Sequence, residues 1–141
     1  MLTSTKALTR YGKPELEAAM VVWHVPPECQ VGAVPRRIYC NKDLVVPLER
    51  ALRCVVQKGL GDKIRTWDGC FNIRRKRTGS SSSLHSWGLA IDINASWNRM
   101  GQKSQQDPEL VECFTDAGFD WGGAWGNPDA MHFQLGEFVK Q

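Results

Sequence analysis

The sequence predicts an α+β fold in a single domain, residues 1–141, with a small sheet covered by helices on one face. Three observations carry this. The segments LAIDI and MHFQL alternate in character with the period of two that a half-buried strand requires. Two longer segments, opening at Pro47 and at Asp107, repeat apolar residues at helical spacing instead. A chain of 141 residues with no internal repeat and no linker is enough for one buried core.

Composition narrows the class. The chain is 42% hydrophobic and 23% charged, as a soluble globular domain is. A net charge of +3 is too weak to indicate nucleic acid, and fits an anionic polymer only loosely. No apolar run is long enough to span a bilayer, and the first residues lack the apolar core of a signal peptide. The five cysteines, Cys29, Cys40, Cys54, Cys70 and Cys113, are odd in number and contain no CxxC. Free, buried thiols with no disulfide are therefore expected.

Taken in chain order, WHVPPECQ places His24 in a proline-rich turn, where a structural role is expected. The first helix is expected from about Pro47 to Gly59, with Leu48, Ala51, Leu52, Val55 and Val56 on its apolar face. RRKRTGSSSS, from Arg74 to Ser83, reads as a solvated loop, and its position before His85 makes it a candidate flap. In LAIDI, Leu89, Ile91 and Ile93 face one way and Asp92 the other. DPELVECFTDAG signals the second helix, capped by Asp107, opened by Pro108 and ended by Gly118. In MHFQL, Met131, Phe133 and Leu135 face the core and His132 and Gln134 the opposite side. Six tryptophans suit packing or the walls of a cleft.

If the two strands are neighbours, Asp92 and His132 converge, and His85 in the loop entering the first strand can join them. Two imidazoles and a carboxylate suit Zn²⁺, which in catalytic sites takes about three protein ligands and leaves a position for water. Asp129, three residues before His132, can then reach that water as a base. A hydrogen-bonded loop histidine and a solvent-facing strand-end acid explain the same spacing, and HxxxxxxD alone leaves both readings open.

The two blocks SLHSWGLAIDIN and GFDWGGAWGNPDAMHF together resemble a family of zinc peptidases. It includes D-alanyl-D-alanine carboxypeptidases and phage L-alanyl-D-glutamate endopeptidases. Ser83, His85, Gly88, Ala90 and Asp92 match the S-x-H and G-x-A-x-D block. Trp121, Gly122, Gly123, Trp125, Asp129 and His132 match the second block, and the resemblance runs from about Ile64 to Leu135.

The resemblance implies a mostly antiparallel sheet with a zinc cleft on the face away from the helices. It implies that His85, Asp92 and His132 bind one Zn²⁺ and that Asp129 is the general base and acid. It also implies an arginine holding substrate oxygens, for which Arg74 aligns best, with Arg75 and Arg77 as alternatives. Ser83, Trp87 and Trp125, inside the matching blocks, are the candidate substrate contacts, with a capping role open for Ser83. The chain departs from many relatives at Ala124, where an acid is common, and at Gln134, where HFE is common. Gln134 is thus expected to replace a carboxylate that orients a ligand histidine.

The implied substrate is the stem peptide of bacterial peptidoglycan, cut by a monomer at the L-alanyl-D-glutamate bond. The implied setting is phage lysis, with the enzyme made in the host cytoplasm and released to the wall. A D-alanyl-D-alanine carboxypeptidase or dipeptidase is the alternative within the family. A non-catalytic zinc-containing wall-binding module, as in hedgehog-type domains, is the alternative outside enzymes.

Overall fold

The computed structural model describes residues 1–73 and 82–138. Among the described residues, three α-helices and six strands appear in the order α1 (Ser4–Tyr11), β1 (Met20–His24), β2 (Arg37–Asn41), α2 (Val45–Gln57), β3 (Trp67–Gly69), β4 (Ala90–Ile93), α3 (Pro108–Asp116), β5 (Phe119–Trp121) and β6 (His132–Leu135). The main sheet has the order β3-β4-β6-β5 and every pairing in it is antiparallel. Strands β1 and β2 form a separate antiparallel pair. The α+β class and the antiparallel sheet agree with expectation.

One face of the main sheet is the core. Ile91, Ile93, Phe133 and Leu135 are all buried there. Helix α3 packs on this face, with Phe114 4.9 Å from Phe133 and 5.5 Å from Phe119 between ring centres. The opposite face carries Ala90, Asp92, His132 and Gln134, which are buried as well. A 3₁₀ turn, Leu84–Trp87, leads into β4. Among the described residues no helix is long and apolar enough to cross a membrane.

The helices follow their sequence signals closely. In α3 the Asp107 carboxylate accepts from the backbone N–H groups of Glu109 (2.8 Å) and Leu110 (3.3 Å), and Pro108 opens the helix. Such a cap is worth about 1 kcal/mol. Helix α2 starts at Val45, two residues ahead of Pro47, because a proline within the first turn has no hydrogen bond to lose. Its buried face is Leu48, Ala51, Leu52 and Val55, while Val56 is exposed and does not belong to it. His24 is an exposed residue at the end of β1, not part of the following turn. The β1–β2 pair and α1 were not among the elements expected from the sequence.

The cysteines need a correction. Cys54 on α2 and Cys113 on α3 form a disulfide, with Cα atoms 5.5 Å apart. An odd count forbids pairing all five, but it leaves room for one pair wherever two helices bring cysteines side by side, as α2 and α3 do. The other three, Cys29, Cys40 and Cys70, are free and buried as expected. Burial pushes the Cys40 thiol up to about 12. It also raises Cys70 far above the usual thiol range, with a smaller contribution from Cys40 and Asp92.

Two outcomes follow for thiol chemistry. The native, unreduced protein should react slowly with a thiol reagent, and three thiols should titrate after unfolding, the number left free by the disulfide. Reducing the bridge, which closes a sequence separation of 59 residues, should lower unfolding free energy by about 2–4 kcal/mol in urea titrations. Five titratable thiols in the unreduced unfolded chain would contradict the pairing.

Candidate metal and catalytic site

The pairing of β4 with β6 brings the key residues together. Asp92 lies directly opposite His132 in the antiparallel register. The period of two then sends both side chains to the face away from α3. His85 arrives from the 3₁₀ turn that precedes β4. One ligand atom from each of His85, Asp92 and His132 lies within 4.8 Å of the others, and all three residues are buried.

Local structure fixes His85 tightly. The Ser83 hydroxyl caps the turn by accepting from the His85 N–H at 3.3 Å. Gly88 ends the turn at φ +66°, and a Cβ there would stand 2.7 Å from the Asn41 backbone nitrogen. Both facts require glycine. The N–H of Asn41 donates to the Gly88 carbonyl at 3.0 Å, so the β1–β2 pair buttresses the turn. The Asn72 N–H donates to the His85 carbonyl at 3.0 Å. The ring Nδ1 lies 2.7 Å from the Cys70 carbonyl oxygen.

That last contact assigns the tautomer. A carbonyl oxygen only accepts, so Nδ1 carries the proton, and in a neutral ring Nε2 is left with its lone pair. Nε2 is buried, makes no hydrogen bond among the described residues, and faces Asp92 Oδ2 at 3.2 Å. His132 is arranged the same way through its other nitrogen. Its Nε2 lies 2.9 Å from Gln134 Oε1, and its Nδ1 faces Asp92 Oδ1 at 3.4 Å. Two neutral imidazole lone pairs thus point at one carboxylate. Such a cluster is stable only with a cation among the three side chains, either protons on the rings or a metal. Burial alone pushes the Asp92 carboxyl up; when the cation is a proton on the rings, hydrogen bonds and charge from His132 and His85 outweigh burial and hold it well below the usual carboxylate range.

The second motif block anchors the backbone of Asp129, three residues before His132. The Gly122 carbonyl accepts from the Asp129 N–H at 2.9 Å. A Cβ on Gly122 would come 2.4 Å from the Asp129 carbonyl oxygen, so the close approach excludes any larger residue. The Trp121 indole N–H donates to the Ala130 carbonyl at 2.8 Å. A turn lies between Asp129 and His132, closed by the His132 N–H on the Asp129 carbonyl at 3.1 Å. Asp129 is buried.

The remaining candidates divide. Trp125 is half-buried, with its ring centre 5.4 Å from that of His132, a position suited to a cleft wall. Trp87 is only 5% exposed, and its indole N–H donates to the Gly12 carbonyl at 2.8 Å. This bond ties the turn to the end of α1. Ser83 acts as a cap. Arg74, Arg75 and Arg77 lie outside the described residues.

Several supports of the site carried no readable signal. Gln106 donates to the carbonyls of Ile93 (3.1 Å) and Ala130 (3.2 Å), bridging the end of β4 to the Asp129 segment. The Gln106 side chain also accepts from Asn94 Nδ2 at 2.9 Å. Asn94 holds a left-handed conformation, φ 57°, that asparagine tolerates, and its Oδ1 accepts from Arg65 N at 2.8 Å. The Cys70 carbonyl belongs to the main chain, which no side-chain pattern reveals.

Comparison with known proteins adds three findings. No curated protein matches the sequence. Among solved structures, the Serratia marcescens L-Ala D-Glu endopeptidase ChiX is 22% identical, with 68% of this chain and 80% of that chain covered and a TM-score of 0.45. The model of a family described as D-alanyl-D-alanine carboxypeptidase matches residues 76–135. That stretch, under half of the chain, contains both motif blocks.

Proposed function

We propose that the protein is a zinc metallopeptidase that hydrolyses the stem peptide of bacterial peptidoglycan at the L-alanyl-D-glutamate bond. The observation that carries the reading is the pair of imidazole lone pairs fixed toward Asp92, with buried Asp129 held three residues from His132. His85 Nε2, His132 Nδ1 and an Asp92 oxygen would hold the ion. Two nitrogens and one oxygen are a donor set that zinc accepts in catalytic sites. Bound there, Zn²⁺ supplies a Lewis acid that polarises a carbonyl and makes water more acidic.

The chain's own groups would do the rest. The Asp129 carboxylate takes a proton from the attacking water as it adds to the scissile carbonyl carbon. It then returns that proton to the amine as the C–N bond breaks. Because its backbone is pinned to Gly122, the base is held in place before substrate arrives. The Trp125 ring offers an apolar wall for the peptide. Arg74, or one of its neighbours Arg75 and Arg77, supplies positive charge toward substrate oxygens. The resemblance to phage endopeptidases supports a monomeric lysis enzyme, made in the host cytoplasm and acting on the wall after release.

The description of the matching family favours a second reading, removal of the terminal D-alanine from a D-alanyl-D-alanine peptide. Mass spectrometry of purified peptidoglycan after digestion separates the two. The endopeptidase should expose a new N-terminal D-glutamate. Released D-alanine would select the carboxypeptidase, and intact stem peptides would leave a binding module.

Metal content should follow the three ligands. Elemental analysis should find one zinc per chain, and alanine at His85, Asp92 or His132 should remove most of it. Retention of zinc by the triple variant would place the ion elsewhere.

Asp129→Asn separates base from ligand. The side chain keeps its size and loses its proton acceptor, so zinc should remain. Turnover should fall by roughly 10²–10⁴. Near-normal hydrolysis by this variant would rule out Asp129 as the base.

A further inference from the structure

Gln134 does more than fill the place of a carboxylate. Its Oε1 lies 2.9 Å from His132 Nε2, and its Nε2 donates to the Leu2 carbonyl at 3.4 Å. These two contacts lie at opposite ends of one amide. A carbonyl cannot donate, so the Leu2 oxygen settles which end of the amide faces it. The NH₂ turns to Leu2 and the oxygen is left facing His132. An oxygen only accepts there, so His132 must carry its proton on Nε2.

Leu2 is itself firmly placed. Its N–H donates to the Gly136 carbonyl at 3.0 Å, just beyond β6, and its side chain is buried in the core. A glutamate at position 134 would fix the same tautomer without help, having only acceptor oxygens. A glutamine can present either end, and a flipped amide would favour the opposite tautomer, with its lone pair turned away from Asp92.

We propose that the Leu2 main chain is a positioning element of the metal site. Acting through Gln134, it locks His132 in the Nε2–H tautomer and so aims the Nδ1 lone pair at the cation position shared with Asp92 and His85. The proposal rests on His132 being a ligand, as argued above. It adds that metal retention depends on a segment 130 residues away in sequence, counting from Leu2 to His132.

The test reads the tautomer directly. Imidazole ¹⁵N shifts of the full-length, metal-free protein, at a pH where the rings are neutral, report which nitrogen of His132 is protonated. Zinc affinity is measured in parallel by competition with a chelator, and an unchanged backbone amide spectrum certifies the fold. Wild type should show the Nε2–H form. Gln134→Leu, which removes the acceptor, should mix the tautomers and weaken zinc about 10–100-fold. Gln134→Glu should restore the Nε2–H form and the affinity. Leu2→Pro removes the N–H that anchors Leu2, and should mix the tautomers while Gln134 is still present. The double variant Leu2→Pro with Gln134→Glu should be insensitive to the loss of the anchor.

A folded Gln134→Leu protein with wild-type tautomer and affinity would overturn the proposal. So would a folded Leu2→Pro protein that keeps both. If Leu2→Pro unfolds, the contrast between leucine and glutamate at position 134 still decides whether the acceptor sets the tautomer. These readouts also stand apart from the proposed activity. A protein that cleaves no wall peptide can still show the lock, and an active peptidase can still lack it.

Discussion

The arrangement around Asp92 depends on where two protons are. Each histidine donates one ring N–H to a fixed oxygen, the Cys70 carbonyl for His85 and the Gln134 amide for His132. The other nitrogen of each ring is left facing the same carboxylate at 3.2 Å and 3.4 Å. Without a cation this is repulsion in a buried place, where charge is poorly screened. With one it becomes a binding site whose ligands need no reorganisation. Much of the surrounding structure serves those two donations. The Leu84–Trp87 turn and its Ser83 cap present His85, and the β4–β6 register presents Asp92 against His132.

The fold meets this demand by burying both faces of its central strands. On one face, Phe114, Phe119 and Phe133 form a packed aromatic cluster under α3. Truncating a ring of this kind to alanine typically costs about 3–5 kcal/mol. That rigidity carries through to the other face, because Phe133 and His132 are adjacent in one strand. The disulfide joins α2 to α3, so it braces the helical layer from behind the sheet. Asp129 is held differently, by main-chain bonds from the Gly122 turn and by the Trp121 indole on Ala130. Asp129 and the His85–Asp92–His132 cluster therefore sit on separately anchored pieces of backbone that meet at His132.

What could be read in advance reflects how information is carried in a chain. The period-two strands revealed the facing of Asp92 and His132, since side-chain alternation is a local property. Asp107, Pro108 and the apolar face of α3 were legible for the same reason. A role for Gln134 beside His132 was legible only through the resemblance, in which HFE is common at that place. Main-chain acceptors could not: the carbonyls of Cys70 and Leu2 look like those of any other residue. Trp87 was ambiguous because indoles suit both clefts and cores, and its bond to the Gly12 carbonyl is a main-chain contact that no side-chain pattern reveals. The Cys54–Cys113 pair was missed because helix–helix packing, not cysteine count, brings the thiols together.

The central claim is that two imidazoles and one carboxylate, and no thiol, hold a divalent ion in this face of the sheet. X-ray absorption at the zinc edge of the zinc-loaded protein tests it most directly. The spectrum should fit nitrogen and oxygen neighbours near 2.0–2.1 Å, with the outer-shell scattering of two imidazole rings. A sulfur neighbour at about 2.3 Å, or the signature of fewer than two rings, would contradict the account.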